Sequence, residues 1–199
     1  MELTDTAVAI LDAAQDLAQT RGYNAFSYRD LADRVGIRTA SIHYHFPTKG
    51  DLGRALVARY AAFVSGTAAD IGRRSPDALA RLRGYVALLE SVLAPPGSGV
   101  AGGGRVCLGG VLASEYPTLP PEVQGAVRAF VDENVRWLAR VLDEGRTAGT
   151  LAFPGGPDAA ATALFSALEG AMIVARTTGD VGRYRAASAW LLATLTPAA

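Results

Sequence analysis

A group of side chains suited to binding anions lies in the stretch TASIHYHFPTKGDL, residues 39–52. The stretch holds both histidines of the chain, His43 and His45, on either side of Tyr44, together with the single lysine, Lys49. Imidazole, phenol and ammonium groups all donate hydrogen bonds, and phosphate oxygens accept them. A metal site is a poor alternative, because side chains two positions apart on a helix point in different directions. We therefore expect contact with a polyanion and no metal site.

The elements that would position these side chains are two short helices joined by a tight turn, in LADRVGIRTASIHYHF. Gly36 allows the chain to reverse there without a Cβ clash. Ile42 and Phe46 are four residues apart, so they share one face of the second helix, which we expect to be buried. The opposite face then carries Thr39, Ala40, His43 and Tyr44. Small residues at its start would let the backbone approach base edges.

Charge is unevenly distributed along a chain whose formal net charge is zero. The first nineteen residues carry four acids and no base, whereas residues 20–60 carry seven bases and three acids, a net +4. A protein that is neutral overall can thus present a basic face, and the local field is what attracts a polyanion.

Helical periodicity runs through almost all of the 199 residues, and no strand-like alternation of useful length is present. The patterns predict an all-α fold with a three-helix head followed by a larger helical bundle. We expect Ser27 to cap the second helix, a long helix to start near Thr48 with Phe63 on its apolar side, and later helices at about 122–145, 158–178 and 181–195.

Several protein classes are disfavoured by composition. Cys107 is the only cysteine, so an intramolecular disulfide cannot form. The amino terminus lacks the layout of a signal peptide, and uninterrupted apolar runs are shorter than a membrane span. The segment GSGVAG, residues 97–102, fits a dinucleotide-binding pattern, but it follows two prolines and no strand, so we interpret it as a linker. We expect a soluble cytoplasmic protein without cofactor.

Residues 10–60, ILDAAQDLAQTRGYNAFSYRDLADRVGIRTASIHYHFPTKGDLGRALVARY, resemble the DNA-binding head of the TetR family of bacterial transcriptional regulators. The resemblance implies a helix-turn-helix DNA-binding domain in residues 1–50 and a helical effector-binding and dimerisation domain in 51–199. It implies a non-enzymatic regulator, most often a repressor, that binds a near-palindromic double-stranded operator as a homodimer through its last two helices. A small-molecule effector would release it.

The resemblance also assigns roles to residues of the head. Lys49 would hold the DNA backbone, and Ser27 would contact phosphate besides capping its helix. Three positions depart from the family pattern. Arg38 stands where a capping Ser or Thr is frequent and could reach DNA itself, and His43 replaces a phosphate-binding Tyr. Gly50 replaces the Glu that frequently follows the lysine. The residues expected to face the major groove or its rim are Thr39, Ala40, Ser41 and Tyr44.

Residues 105–151 are similar to the branch related to the N-ethylmaleimide-responsive repressor, in which a cysteine responds to electrophiles or oxidants. Cys107 falls at the matching place, beside Arg105. A cation and a helix N-terminus would lower the pKa of its thiol and make it a reactive sensor. The alternative is a small buried residue without reactivity.

A second hypothesis for the body is a small apolar or aromatic effector held between helices. The candidate wall residues are Phe130, Trp137, Phe165 and Met172, although such residues also form ordinary cores. Two functions of other classes stay open from the sequence: an enzyme that uses the glycine-rich segment for a nucleotide, and a helical interaction module whose head does not bind DNA.

Overall fold

A computed structural model describes residues 4–93 and 104–197. Within these residues the chain forms nine α-helices and one short 3₁₀ helix, with no strand, so the predicted all-α fold is confirmed. The expected linker at residues 97–102 lies outside the described residues. The helices are α1 (Asp5–Arg21), α2 (Tyr28–Val35), α3 (Thr39–His45), α4 (Lys49–Arg74), α5 (Ala78–Leu93), α6 (Leu108–Ser114), the 3₁₀ helix Tyr116–Thr118, α7 (Pro121–Thr147), α8 (Pro157–Thr178) and α9 (Val181–Thr194).

Side-chain caps define where the helices of the head begin. Thr4 Oγ1 accepts a hydrogen bond from the Ala7 backbone N–H at 3.3 Å at the start of α1. Ser27 and Asp30 form a reciprocal capping box at α2, which confirms the predicted cap. Thr48 Oγ1 accepts from the Asp51 N–H at 3.0 Å just before α4. These hydrogen bonds satisfy backbone donors that a helix leaves without partners in its first turn.

The turn between α2 and α3 depends on Gly36, whose φ of +76° is the left-handed conformation that glycine adopts without a steric penalty. This turn brings Leu31 and Ile42, both 0% exposed, into the core of the head. Phe46 at the end of α3 is also buried. The predicted inward face of α3 is therefore confirmed.

The chain packs as two compact units. The first contains the chain up to Ala62 together with Leu108–Phe130, and the second contains the described residues of Phe63–Cys107 and Val131–Ala199. The first unit thus takes in α6 and the start of α7 as well as the three head helices. The functional division at residues 50 and 51 stays a prediction.

The second unit is built around α5, α8 and α9. Tyr184 on α9 is fully buried, and its hydroxyl donates to the Val86 carbonyl oxygen of α5 at 2.9 Å. One prediction for this unit is wrong: Phe63 is 53% exposed, and Val64 takes the inward position on α4. The buried face of α4 continues four residues after Tyr60, at Val64, and not three residues after it.

Helix α8 is the one described helix that is long and apolar enough to cross a membrane by length and composition. It packs against α5 and α9 in the second unit, and this contact accounts for its buried apolar residues. Such a composition is also found in core helices.

Candidate nucleic-acid interface

The outward face of α3 is the surface that the sequence assigned to DNA. Tyr44 is 84% exposed and Ala40 is exposed, whereas Thr39 and Ser41 are half-buried. The face borders an open depression of about 500 Å³. The residues that line this depression are Thr6, Ile37, Arg38, Ala40, Ser41, Tyr44 and His45. Four of the eight predicted DNA-contacting residues line this depression: Arg38, Ala40, Ser41 and Tyr44.

Arg38 is the residue immediately before α3 and makes no side-chain cap. Its side chain is exposed at the depression, so its guanidinium is available to a ligand there. A guanidinium placed beside the start of a groove-binding helix suits both phosphate and guanine edges. The absence of a Ser or Thr cap at this position is thus compatible with a contact role.

His43 is held in a defined orientation. Its Nδ1 lies 3.2 Å from the Pro47 carbonyl oxygen, and its ring packs on that of Tyr28 with centroids 4.7 Å apart. A carbonyl oxygen only accepts, so Nδ1 carries the proton in this contact. The remaining nitrogen, Nε2, is an acceptor in the neutral ring and a donor only in the imidazolium. A phosphate contact through Nε2 therefore needs either the imidazolium or a neutral ring that has left the Pro47 carbonyl oxygen.

Tyr28 fixes the connection between α3 and α4. Its hydroxyl lies 2.8 Å from the Phe46 carbonyl oxygen and 2.6 Å from that of Thr48, and the two acceptors share its single proton. Burial, with a smaller contribution from the Asp51 charge, raises the pKa of Tyr28 to about 12, so the phenol keeps its donor proton at neutral pH. The orientation of α3 is stabilised by this contact.

Lys49 is half-buried against the aromatic side chains of the head. Its Nζ donates to the Phe26 carbonyl oxygen and lies 4.7 Å and 4.5 Å from the ring centroids of Tyr23 and Phe26. Burial lowers the pKa of Lys49, and the Glu115 and Asp30 charges oppose this shift. The ammonium thus ties α4 to the segment between α1 and α2. Its predicted contact with the DNA backbone stays a prediction.

Ser27 is also engaged within the protein. Its hydroxyl donates to the Asp30 carboxylate at 2.6 Å, and this hydrogen bond is the largest cause of the lowered pKa of Asp30. The structure confirms its capping role. The Ser27 hydroxyl already donates its one proton to Asp30, so the predicted donation to a phosphate would require it to release this partner.

Sequence reasoning missed Glu115, which lies between α6 and the 3₁₀ helix. Its carboxylate accepts hydrogen bonds from the backbone N–H groups of Tyr23 at 3.0 Å and Asn24 at 2.9 Å. The Asn24 amide donates to Thr118 Oγ1 at 2.8 Å. These contacts attach the segment after α6 to the end of α1, over a sequence separation of about ninety residues that no local pattern reveals.

Comparison with known proteins identifies the family of this chain. Residues 10–56 match the family described as "Bacterial regulatory proteins, tetR family", and residues 78–191 match "Tetracyclin repressor-like, C-terminal domain". The chain belongs to the TetR family. It is a DNA-binding transcriptional regulator and not an enzyme, which excludes the nucleotide-enzyme alternative.

Individual relatives agree with the TetR assignment. A TetR-family transcriptional regulator from Agrobacterium tumefaciens is 36% identical, with a TM-score of 0.90 over 96% of this chain and 98% of the other. The transcriptional regulator AcuR of Cereibacter sphaeroides is 26% identical over 84% of this chain and 75% of its own. The reduced form of NemR from E. coli shares the fold at 22% identity, with a TM-score of 0.80 over 98% of this chain and 100% of the other.

The four residues predicted to form the effector wall fall in both units of this TetR-family chain. Phe130 lies in the first unit, where its ring is 5.6 Å from that of Tyr60. Trp137 lies in the second, half-buried and stacked on Tyr85 with centroids 5.4 Å apart. Phe165 and Met172 are buried on α8 of the same unit. Their contact with an effector stays a prediction.

Cys107 is 1% exposed in the second unit. Sequence reasoning missed Glu169 on α8, whose carboxyl group is affected by Cys107. Burial raises the pKa of this carboxyl group to about 7, and the Cys107 thiol partly offsets the rise. Oε1 of Glu169 has no contact with solvent and no hydrogen-bond partner within the described residues. Glu169 as a whole is half-buried, and helical periodicity does not predict this one shielded oxygen.

Proposed function

We propose that this TetR-family regulator is a cytoplasmic, homodimeric repressor that binds a near-palindromic operator and leaves it when the body binds an effector or when Cys107 is modified. Residues 1–50 would carry DNA binding, and 51–199 effector binding and dimerisation. The observation that supports DNA binding most directly is the division of α3 into a buried face and an exposed face. Ile42 is 0% exposed and Tyr44 is 84% exposed on this one short helix.

Such a helix suits the major groove. Its small residues Ala40 and Ser41 would let the backbone approach base edges, while Tyr44 and Arg38 would reach bases or phosphates at the rim. His43, in its protonated form, would add a phosphate donor. One copy of α3 reads only a half-site, so a second copy in a dimer explains why a near-palindrome is expected.

The dimer is proposed to form through α8 and α9. Both helices expose large apolar side chains: Ile173 is 54%, Val174 49% and Trp190 67% exposed. An open apolar depression of about 380 Å³ lies between these helices and Phe153. Exposed apolar area of this kind marks an interaction surface in a soluble protein, and a symmetric interface would cover it on both copies at once.

Release is proposed to follow from chemistry at Cys107 or from a small molecule held near Trp137, Phe165 and Met172. A ligand that binds the DNA-free arrangement of the dimer more tightly than the DNA-bound arrangement weakens DNA binding. The size of the effect equals the difference between the two binding free energies, typically about 1–3 kcal/mol. Reaction at Cys107 would act in the same way, because a bulky adduct does not fit the packed site that a buried thiol occupies.

Selection from random DNA duplexes tests the proposal without knowledge of the operator. The purified chain should enrich a near-palindrome of two half-sites, and N-ethylmaleimide should release it from that duplex. Cys107→Ser should bind the same duplex and resist the reagent. Failure to enrich any sequence would favour a helical interaction module, and release of Cys107→Ser by the reagent would exclude Cys107 as the sensor.

A further inference from the structure

His43 is exposed on α3, and one of its two ring nitrogens is already engaged within the head. Its Nδ1 lies 3.2 Å from the Pro47 carbonyl oxygen, and its ring packs on that of Tyr28 with centroids 4.7 Å apart. A carbonyl oxygen only accepts hydrogen bonds, so this contact keeps the proton of a neutral ring on Nδ1. The nitrogen left for a ligand, Nε2, is then an acceptor and cannot donate to a phosphate.

Protonation changes this property without moving the ring. The imidazolium donates from both nitrogens, so Nδ1 keeps the Pro47 carbonyl oxygen while Nε2 donates to an anion. A neutral ring offers a donor to phosphate only by releasing that carbonyl oxygen, which forfeits the hydrogen bond. Hydrogen bonds from a charged donor to phosphate are also about twice as strong as neutral ones. Proton binding and phosphate binding at His43 therefore favour each other.

We propose that operator binding is linked to protonation of His43, so that the regulator binds DNA more tightly as pH falls from about 8 to about 6. This inference rests on the proposed function, in which the outward face of α3 contacts DNA, and it adds regulation by pH to that contact. Each head of a dimer contributes its own His43, so binding takes up a proton at each head. By the same linkage, bound DNA favours the imidazolium form of His43.

The groups packed around His43 allow its charge to respond to DNA. Its ring contacts are a phenol and a backbone carbonyl group, and neither carries a charge. Burial is the main cause that raises the pKa of the phenol, Tyr28 of α2, to about 12, so Tyr28 stays neutral in the range of the proposal. The charged groups in the first turns of α4 have partners of their own. Asp51 and Arg54 form an ion pair at 3.8 Å, and the Lys49 ammonium lies over two aromatic rings of the head.

Two other side chains that titrate in this pH range have to be separated from His43. His45 is the second of the two histidines in the chain, and its ring lies 5.2 Å from that of Tyr44 on the same helix. Glu169 lies on α8 in the second unit, and burial raises its pKa to about 7. Substitution of each residue on its own distinguishes the three sources of a linked proton.

The test is the affinity of the full-length protein for the duplex selected from random sequences, measured by fluorescence anisotropy at about pH 6, 7 and 8 and constant ionic strength. The wild type should bind on the order of tenfold more tightly at the lowest pH than at the highest. His43→Gln has a neutral amide donor at every pH, so its affinity should be nearly constant across the series. His45→Gln and Glu169→Gln should retain the wild-type pH dependence, whatever their affinity at a single pH.

The salt dependence of binding separates a phosphate contact from an indirect effect on the fold. Each phosphate neutralised by a cation steepens the plot of log affinity against log salt concentration by about 0.9. With His43 charged in both heads, the wild-type slope should be steeper at the lowest pH than at the highest by about 1–2. His43→Gln should have the same slope at both. A change in helix orientation alone would alter the affinity without this difference in slope.

Circular dichroism at each pH checks that the variants are folded. A wild type with equal affinity and equal salt slope at both ends of the pH series would overturn the proposal, as would a His43→Gln protein that keeps the pH dependence. In both cases specific binding to the selected duplex would leave the proposed function intact. A wild type that does not prefer the selected duplex over a scrambled one at any pH would remove the proposed function, and this inference with it.

Discussion

Lys49 stabilises the fold of the head at a position where the sequence predicts DNA contact. Its ammonium donates to the Phe26 carbonyl oxygen and lies over the rings of Tyr23 and Phe26. A contact of this kind stabilises the head directly. Through these contacts Lys49 also helps to orient the helices that are proposed to bind DNA.

Lys49→Ala should therefore lower the free energy of unfolding. The loss is expected to be about 1–3 kcal/mol, the range for a hydrogen bond from a charged group, with partial exposure favouring the lower end. Denaturant titration measures it, and Arg54→Ala on the exposed side of α4 is the control. Unchanged stability together with weaker DNA binding would show that Lys49 acts on phosphate instead.

The raised pKa of Glu169 should make the free energy of unfolding depend on pH. Its pKa in the folded protein is raised to about 7 from 4.5, so between these values the folded protein holds a proton that the unfolded chain has lost. The free energy of unfolding should then fall as pH rises through this window. Glu169→Gln has no such group, so its stability relative to the wild type should increase from about pH 5 to about pH 8. A difference that is independent of pH in denaturant titrations would contradict the shifted pKa.

At the scale of elements, the segment that follows α6 is attached to the head by Glu115. Two backbone N–H groups at the end of α1 donate to its carboxylate, and charge-assisted hydrogen bonds of this type are stronger than neutral ones. The carboxylate also lies close to Gly22: a Cβ on that residue would be 2.4 Å from Glu115 Oε1. The contact between the end of α1 and the segment after α6 thus depends on Gly22 and on Glu115, which is distant from it in sequence.

Glu115→Ala should destabilise the first unit by about 1–3 kcal/mol, because the backbone N–H of buried Tyr23 loses its acceptor, whereas water can replace the acceptor of exposed Asn24. Hydrogen exchange should show faster exchange at the amides of Tyr23 and Asn24 specifically. Glu122→Ala, at the start of α7 in the same unit, provides the comparison. Protection at Tyr23 and Asn24 that is equal to the wild type would refute the attachment.

The sequence predicts features that depend on neighbouring residues and does not predict contacts between residues far apart in the chain. Helix positions, the Ser27 cap, the Gly36 turn and the two faces of α3 follow from spacing over a few residues, and all were predicted. Glu115 and Glu169 owe their contacts to residues far along the chain, which no local period encodes. The prediction for Phe63 is wrong because the inward face of a helix recurs after three or four residues, and here the buried residue is Val64, four after Tyr60.

At the scale of the whole molecule, the exposed apolar side chains of α8 and α9 are proposed to be covered by a second copy. Trp190→Glu should place a charge in that interface and reduce the mass measured by light scattering from twice the 20.7 kDa chain mass to a single chain. Phe63→Glu, which alters another exposed aromatic side chain, should leave the dimer intact. A Trp190→Glu protein that stays dimeric would place the interface elsewhere.

The measurement that tests the central claim most directly is DNA binding by fluorescence anisotropy over a series of salt concentrations, using the selected duplex and a scrambled one. The wild type should prefer the selected duplex and lose affinity steeply as salt increases, because phosphate contacts release counterions. Tyr44→Ala, which removes a side chain that is 84% exposed, should stay folded and bind that duplex roughly 10- to 100-fold more weakly. Equal affinity of the wild type for both duplexes, or an unchanged affinity in Tyr44→Ala, would contradict sequence recognition through the outward face of α3.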